Sequence, residues 1–140
     1  MKARISLITL GVENLERAVA FYRDGLGLPT DGIVGREYEH GAVAFFDLEG
    51  GTKLALWTRA DIAWDTLLPV GTPNPTDFTL AQNVMSREQV DEVMVQAIKA
   101  GAAVLRTAAE TFYGGYAGYF QDPDGHVWEI AWNPAMLPPD

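Results

Sequence analysis

The sequence predicts an α+β protein made of two similar modules, and three observations support this class. Short runs of alternating apolar and β-branched residues are separated by turns that contain glycine or proline. Two segments, 15–25 and 87–100, carry apolar residues at helical spacing, and glycine ends or follows each of them. The same order of strand, capped helix, glycine stop, loop and hairpin occurs in both halves, which is the pattern of an internal repeat.

The first half has the element order β-α-β-β, with room for a further strand in its loop. Asn14 is placed to cap the helix over 15–25, and Gly25 and Gly27 end that helix. Residues 30–41 are polar and punctuated by glycine, which predicts a loop that could include a short irregular strand. The strands predicted in this half are 5–12, 42–48 and 53–58, the last two joined by the turn Glu49-Gly50-Gly51.

The second half repeats this pattern after a connector. The modules are predicted to span about 1–60 and 76–135, and the proline-containing connector 61–75 could form a short helix. Ser86 is placed to cap the helix over 87–100, and Gly101 ends it. The strands predicted in this half are 79–84, 103–106, 119–121 and 126–132, the last two joined by the turn Asp122-Pro123-Asp124-Gly125.

Length, composition and charge restrict the class of protein. A chain of 140 residues is long enough for a single domain with its own core. There is no cysteine, which excludes disulfides, thiol catalysis and zinc–thiolate sites. The net charge of −9 and the lack of a basic patch argue against nucleic acid and anionic membranes as partners. The N-terminal segment predicts a strand and not a signal peptide, so a cytoplasmic location is expected.

The last predicted strand places one carboxylate on an otherwise apolar face. Because side chains alternate along a strand, Glu129 shares a face with Val127 and Ala131, while Trp128 and Ile130 lie on the opposite face. Two interpretations remain open. The face of Glu129 is solvated, or it lines a cavity in which Glu129 is the polar anchor, since an unpaired buried carboxylate is costly.

Three segments give the chain a resemblance to the vicinal-oxygen-chelate superfamily, which includes glyoxalase I, bleomycin-resistance proteins and extradiol dioxygenases. These segments are ITLGVENLERAVAFYRDGLGL, the strand–helix–glycine unit of 79–101, and GYFQDPDGHVWEIAWNP, which is the most specific. The resemblance implies paired β-α-β-β-β modules with curved mixed sheets around a central cavity. It also implies metal ligands near the middle of each module's first strand and on each module's last strand.

Carried over position by position, most of these metal ligands are missing. The ligand positions are occupied by Leu7, by Ala55, by Thr79 or Ala81, and by Glu129, so only one carboxylate is kept. A catalytic divalent ion needs about three protein ligands. Three other side chains do not restore the set, because His126 and Gln82 point to the opposite face and His40 lies in a loop without a spaced partner. The resemblance therefore favours a protein without a metal or other cofactor.

The residues that remain describe a small-molecule site. An apolar pocket with a few polar groups is the usual composition of such a site. Trp57 is placed either to stack on a flat or cationic ligand or to fill the cavity, and Lys53 is the nearest candidate counter-charge for Glu129. The predicted lining residues are Leu7, Thr9, Ala55, Trp57, Thr79, Ala81 and Glu129, with Tyr113, Tyr116 or Tyr119 near the mouth.

Two classes of function remain open at this point. The first is a metal-free binding protein for a small cationic or aromatic molecule, as in the bleomycin-resistance relatives. The second is a glyoxalase-like lyase, isomerase or epimerase in which Glu129 is the general base, and this role needs its pKa raised by the apolar lining. A ring-opening dioxygenase is disfavoured because its iron ligands are missing. A homodimer is expected, because small sheets leave edges that relatives cover by pairing.

Overall fold

The protein divides into two compact units. The computed structural model describes residues 1–139, and the first unit is Met1–Thr72, while the second begins at Pro73. The boundary between them lies inside the predicted connector 61–75.

The first unit contains a four-stranded sheet with the strand order β1-β4-β3-β2. β1 and β4 are parallel, and the other neighbours are antiparallel. A π-helical segment, Ala20–Gly25, continues α1 without a break. The elements are β1 (Leu7–Val12), α1 (Leu15–Val19), β2 (Thr30–Val34), β3 (Val43–Asp47), β4 (Lys53–Thr58) and α2 (Arg59–Thr66).

The second unit contains a sheet of the same design, with the strand order β5-β8-β7-β6. Here β5 and β8 are the parallel pair. The elements are β5 (Leu80–Asn83), α3 (Arg87–Ala100), β6 (Ala103–Glu110), β7 (Tyr116–Gln121) and β8 (Val127–Trp132).

The predicted fold class is confirmed, since each unit has the order β-α-β-β-β and a mixed sheet of four strands. Both predicted caps are present. Asn14 Oδ1 accepts a hydrogen bond from the Arg17 backbone N–H at 2.9 Å, and Ser86 Oγ accepts one from the Gln89 backbone N–H at 3.2 Å. The short irregular strand of the first loop is β2, and the short helix of the connector is α2.

The second unit differs from the prediction in the glycine-rich approach to its hairpin. β6 runs on to Glu110, and β7 begins at Tyr116 and not at Tyr119. The predicted strand 119–121 left Gly118 outside, but it lies inside β7 where α3 packs closely. A Cβ at this position would lie 3.1 Å from the Met94 Sδ, so the strand needs glycine for close packing and not for a turn.

In each unit a helix covers one face of the sheet and buries the apolar core against it. In the first unit α1 packs against the sheet, and in the second α3 packs against β7 and β8. The alternation of side chains places the remaining residues of each strand on the opposite face, which we call the open face because neither α1 nor α3 packs on it. The buried core residues include Leu10, Val12, Tyr22, Phe46, Leu54 and Leu56 in the first unit, and Val90, Met94, Ala97, Phe120 and Ile130 in the second.

Across residues 1–139, no helix combines the length and apolar character needed to cross a membrane. The longest helix, α3, has 14 residues.

Candidate functional site

Glu129 lies on the open face of the second sheet, near the middle of β8. Its direct neighbours in the sheet are Tyr119 of β7 and Ala81 of β5. The side chain is partly buried, and the Tyr119 hydroxyl donates a hydrogen bond to Glu129 Oε2. Glu129 is therefore neither a fully solvated surface carboxylate nor an uncompensated buried one.

The pairing with Glu129 keeps the Tyr119 hydroxyl protonated. The hydrogen bond to Glu129, followed by partial burial and the negative charge of Glu129, raises the pKa of Tyr119 to about 12. The positive charge of Arg106 acts in the opposite direction, and Tyr113 adds a smaller raising effect. At neutral pH the pair consequently presents a neutral phenol that donates to a carboxylate.

Arg106 is a site residue that the sequence analysis missed. It is paired directly with Tyr119, which is paired directly with Glu129, so the three side chains form one row across β6, β7 and β8. We call this set the polar row. The strand over 103–106 was predicted, but its register was not, because β6 is irregular on both sides of Arg106.

The proposed counter-charge for Glu129 needs correction. Lys53 donates to the carboxylate of Asp47, its direct neighbour across the β3–β4 hairpin of the first unit. The expectation that Glu129 is the only charged group on its face is also wrong, because Arg106 lies on that face two strands away.

Small residues lie beside the polar row. The register pairs Ala109 with Ala117 and Ala117 with Ala131, so three methyl groups cross the same open face in the neighbouring row. Ala117 and Ala131 are buried. We call these three residues the alanine row, and they form the apolar neighbours of Tyr119 and Glu129 on this face.

In the first unit, the four predicted lining residues share the open face of the sheet. The register pairs Leu7 with Lys53, Thr9 with Ala55, and Gly11 with Trp57, which places all of them on the face away from α1. Ala55 is 1% exposed and Leu7 is 44% exposed, so this face is covered unevenly. The Trp57 indole N–H donates to the His40 backbone carbonyl at 3.0 Å, which fixes the orientation of its ring.

The predicted tyrosines separate into two groups. Tyr116 lies on the covered face, where its hydroxyl donates to Asp91 of α3 at 2.8 Å and Arg87 lies over its ring. It therefore does not belong with Glu129. Tyr113 lies in the turn before β7, packs edge-on against Phe112, and is close enough to Tyr119 to affect its pKa.

The two residues considered for the ligand position on the first strand of the second unit, Ala81 and Thr79, have different surroundings. Ala81 lies directly beside Glu129, whereas Thr79 is exposed and precedes the first residue of β5.

His40 has a partner that sequence spacing did not reveal. Its Nδ1 lies 2.7 Å from Asp61 Oδ1 of α2, and the indole of Trp64 stacks on its ring at a centroid distance of 4.2 Å. Partial burial acts to raise the pKa of Asp61, but side-chain hydrogen bonds with His40 and Thr58 outweigh burial and lower it. The interpretation of His40 as an isolated loop residue was wrong, because a helix of the connector approaches the loop in space.

The first unit also contains a cavity of about 580 Å³ at the edge of its open face. It lies beside β2. Its lining residues are Pro29, Thr30, Asp31, Gly32, Val34, Phe45, Asp47 and Lys53.

The residues at the implied metal positions do not fit a divalent ion. Leu7 and Ala55 have no donor atoms, and Glu129 already accepts the Tyr119 hydroxyl. Within residues 1–139, His, Asp and Glu side chains form no cluster of three or more that could hold a metal. The structure therefore offers no route for a reaction step through a bound metal at these positions.

The comparison with known families agrees with this architecture. Residues 4–130 match the model of the Glyoxalase/Bleomycin resistance protein/Dioxygenase superfamily. The chain therefore belongs to this superfamily.

Individual relatives are similar over nearly the whole chain. Metallothiol transferase FosB from Shouchella clausii is 29% identical over 129 residues, which cover 90% of this chain and 77% of FosB. A glyoxalase-related enzyme from Fulvimarina pelagi has a crystal structure with a TM-score of 0.81 and 33% identity, covering 95% of this chain and 90% of that one. A lactoylglutathione lyase from Agrobacterium tumefaciens shares the fold at 22% identity and a TM-score of 0.65, with coverage of 94% and 95%.

Proposed function

We propose that this protein binds a small organic molecule on the open face of its second sheet without a metal ion. The observation that carries the proposal is the hydrogen-bonded pair of Tyr119 and Glu129, which is partly buried next to the alanine row. A few convergent polar groups beside an apolar surface are what a small-molecule site requires. The carboxylate supplies a strong acceptor, and the phenol fixes its orientation.

The metal-free part of the proposal rests on the donor atoms of this chain. FosB is named a metallothiol transferase, and metal-dependent thiol transfer is the first activity to consider for a relative. In this chain, however, a leucine at position 7 and an alanine at position 55 replace the ligands that the family would supply. One carboxylate cannot hold a catalytic ion. Metal analysis of the purified protein tests this directly, and a stoichiometric metal would overturn the proposal.

A cationic or aromatic group in the ligand fits the charge of the site and of the chain. The net charge of −9 favours approach of cations, and Glu129 offers a charged acceptor. A charge-assisted hydrogen bond contributes roughly 1.5–3 kcal/mol. Glu129→Gln is therefore expected to weaken binding of a small aromatic amine such as phenethylamine by about tenfold or more.

The test is a thermal-shift and calorimetric titration of phenethylamine on wild type and Glu129→Gln, with Glu92→Gln as the matched control. Glu92 is an exposed residue of α3, on the other side of the sheet. Loss of binding only in the Glu129 variant supports the proposal. Equal stabilisation of wild type and Glu129→Gln would remove Glu129 from the ligand site.

The second candidate is a lyase, isomerase or epimerase in which Glu129 is the general base. One observation favours it, because the Tyr119 hydroxyl is a neutral donor beside the carboxylate and could stabilise an enolate oxygen. The experiment is proton exchange, followed by NMR in D₂O, at the carbon next to the carbonyl of hydroxyacetone. Exchange that needs both Glu129 and Tyr119 would favour the enzyme over the binding protein.

We further propose a cytoplasmic homodimer. Exposed apolar residues on the edge strand β6, such as Leu105 at 51% exposure, support pairing of this edge. Sedimentation at micromolar concentration tests the assembly, and a monomer would contradict it.

A further inference from the structure

We infer that the ligand of the second sheet is a small zwitterion, whose ammonium group meets Glu129 and whose carboxylate meets Arg106. The inference rests on the proposed function and makes it more specific. It assigns a role to Arg106, and it converts a site for cations into a site that recognises two opposite charges on one skeleton.

The polar row holds its three side chains in a fixed order across the sheet. Arg106, Tyr119 and Glu129 are successive direct neighbours on three adjacent strands, and all three lie on the open face. Directly paired residues have Cβ atoms about 5 Å apart, so the Cβ atoms of Arg106 and Glu129 are separated by about 10 Å. The cation and the anion thus lie at opposite ends of the row, with the phenol of Tyr119 between them.

Arg106 and Glu129 both keep their charges available to a ligand. Glu129 accepts from the Tyr119 hydroxyl through one of its two oxygens, and a carboxylate can accept further hydrogen bonds. Arg106 is exposed, and none of the residues from 1 to 139 forms an ion pair with it. Its direct pairing with Tyr119 places Arg106 at the end of the row, and its positive charge acts to lower the pKa of the Tyr119 hydroxyl.

A zwitterion fits the separation of Arg106 and Glu129. An amino acid with one charged hydrogen bond at each end, each about 2.8 Å long, extends over roughly 8 to 9 Å between the protein atoms that hold it. The long arginine side chain can shorten or lengthen this span, and its guanidinium matches a carboxylate in a bidentate geometry.

A ligand with a single charge pairs with only one of the two charged residues of the polar row. A simple amine pairs with Glu129 but leaves Arg106 without a partner, and the amine is repelled by the positive charge of Arg106. A simple carboxylate meets Arg106 and is repelled by Glu129. A zwitterion avoids both repulsions, which is a specificity argument because like-charge contacts discriminate against the wrong ligand.

The experiment compares three probes with the same phenyl and two-carbon skeleton: phenylalanine, phenethylamine and 3-phenylpropionate. Calorimetric titrations are made on wild type, Arg106→Gln and Glu129→Gln, with Arg4→Gln and Glu92→Gln as matched controls at exposed positions. Wild type and both controls are expected to bind phenylalanine about tenfold or more tightly than either single-charge probe, the effect of one charge-assisted hydrogen bond. Arg106→Lys keeps the positive charge but lacks the bidentate guanidinium, and it is expected to keep part of the preference for phenylalanine.

The two site variants are expected to lose different preferences. Arg106→Gln should bind phenylalanine no better than phenethylamine, and Glu129→Gln should bind phenylalanine no better than 3-phenylpropionate. If phenethylamine binds wild type as tightly as phenylalanine and Arg106→Gln changes neither, the zwitterion inference is wrong while the proposed function stands. If wild type binds none of the three probes, both the inference and the proposed function are overturned.

Discussion

Replacement of Tyr119 by phenylalanine tests the hydrogen-bonded pair at the centre of the site. The change removes one hydroxyl and leaves the Glu129 carboxylate partly buried without its donor. A pKa raised from 10.0 to about 12 corresponds to roughly 2.7 kcal/mol at 1.36 kcal/mol per unit, before any allowance for solvent. We reduce this value by about half for two reasons. Water screens the interaction of these partly exposed groups, and burial and the charge of Glu129 raise the pKa by disfavouring the phenolate, which is no loss when the hydroxyl is removed. We therefore expect a loss of about 1 to 1.5 kcal/mol in the free energy of unfolding.

The loss of stability in Tyr119→Phe should be visible in Tm and in the pH dependence of Tm. For a domain of this size it lowers Tm by about 3 to 6 °C at neutral pH. Because the folded-state pKa of Tyr119 is raised, its stabilisation is fully present below about pH 10 and is lost as the pH rises through about 12. The difference in Tm between wild type and Tyr119→Phe should therefore shrink across that window.

Tyr38→Phe is the matched control for this experiment, since Tyr38 is 70% exposed. We expect it to change Tm by less than the error of the measurement. An unchanged Tm for Tyr119→Phe at pH 7, or a difference that persists above pH 12, would refute the role of the hydroxyl as a donor to Glu129.

Three further predictions concern the framework. Ser86→Ala removes the cap of α3 and should lower the free energy of unfolding by about 1 kcal/mol in a denaturant titration, more than the effect of Ser86→Gly. Gly125→Ala places a side chain at φ +88° in the hairpin turn and should cost about 1 to 2 kcal/mol, whereas Gly71→Ala, which has neither crowding nor positive φ, should be close to neutral by the same measurement. Asp61→Asn weakens the contact with His40 and should destabilise by about 1 kcal/mol at pH 7. Since the pKa of Asp61 is lowered, that stabilisation is present above its ordinary value of 3.8 and lost as the pH falls through the folded value, so the variant and wild type should converge in acid-denaturation curves.

The sequence alone was sufficient for the elements whose signals are local. Asn14 and Ser86 cap their helices as predicted, because a cap depends on a side chain and a backbone amide three residues apart. The face of Glu129 followed from simple alternation along β8. These features need no knowledge of which strands are neighbours.

The missed features depend on register and on contacts between distant segments. Arg106 reaches the row of Glu129 only because β6 is irregular before and after it, and no local pattern gives the position of such an irregularity. His40 and Asp61 meet across 21 residues, because α2, the short helix expected in the connector, packs against a loop that no local pattern identifies as its neighbour. Tyr116 was grouped with the tyrosines near the mouth of the predicted cavity because the start of β7 was predicted three residues too late, which left the face of Tyr116 undefined; it lies on the covered face.

The internal repeat shows how the two sheets differ at the positions of Tyr119 and Glu129. The register makes Thr9 and Ala55 of the first sheet equivalent to Ala81 and Glu129 of the second, since each is the matching direct pair of the parallel strands. The next neighbours in these rows are Phe45, which pairs with Ala55, and Tyr119, which pairs with Glu129. Thus an aromatic ring occupies both positions, but its hydroxyl is present only in the sheet that has a carboxylate to accept it.

This correspondence is what a satisfied polar pair requires, because a carboxylate without the phenol would lose its donor and a phenol beside Ala55 would have no charged acceptor. Glu129 is therefore not isolated in its sheet, because Tyr119 donates to it. The hydroxyl and the carboxylate occur together in one repeat and are absent together from the other, and the added cation of Arg106 extends this pair into a row. A sheet without a ligand would still need the donor for its carboxylate, but it would not need the opposite charge beyond the pair, so Arg106 is the residue of this row that supports the proposed recognition of a ligand.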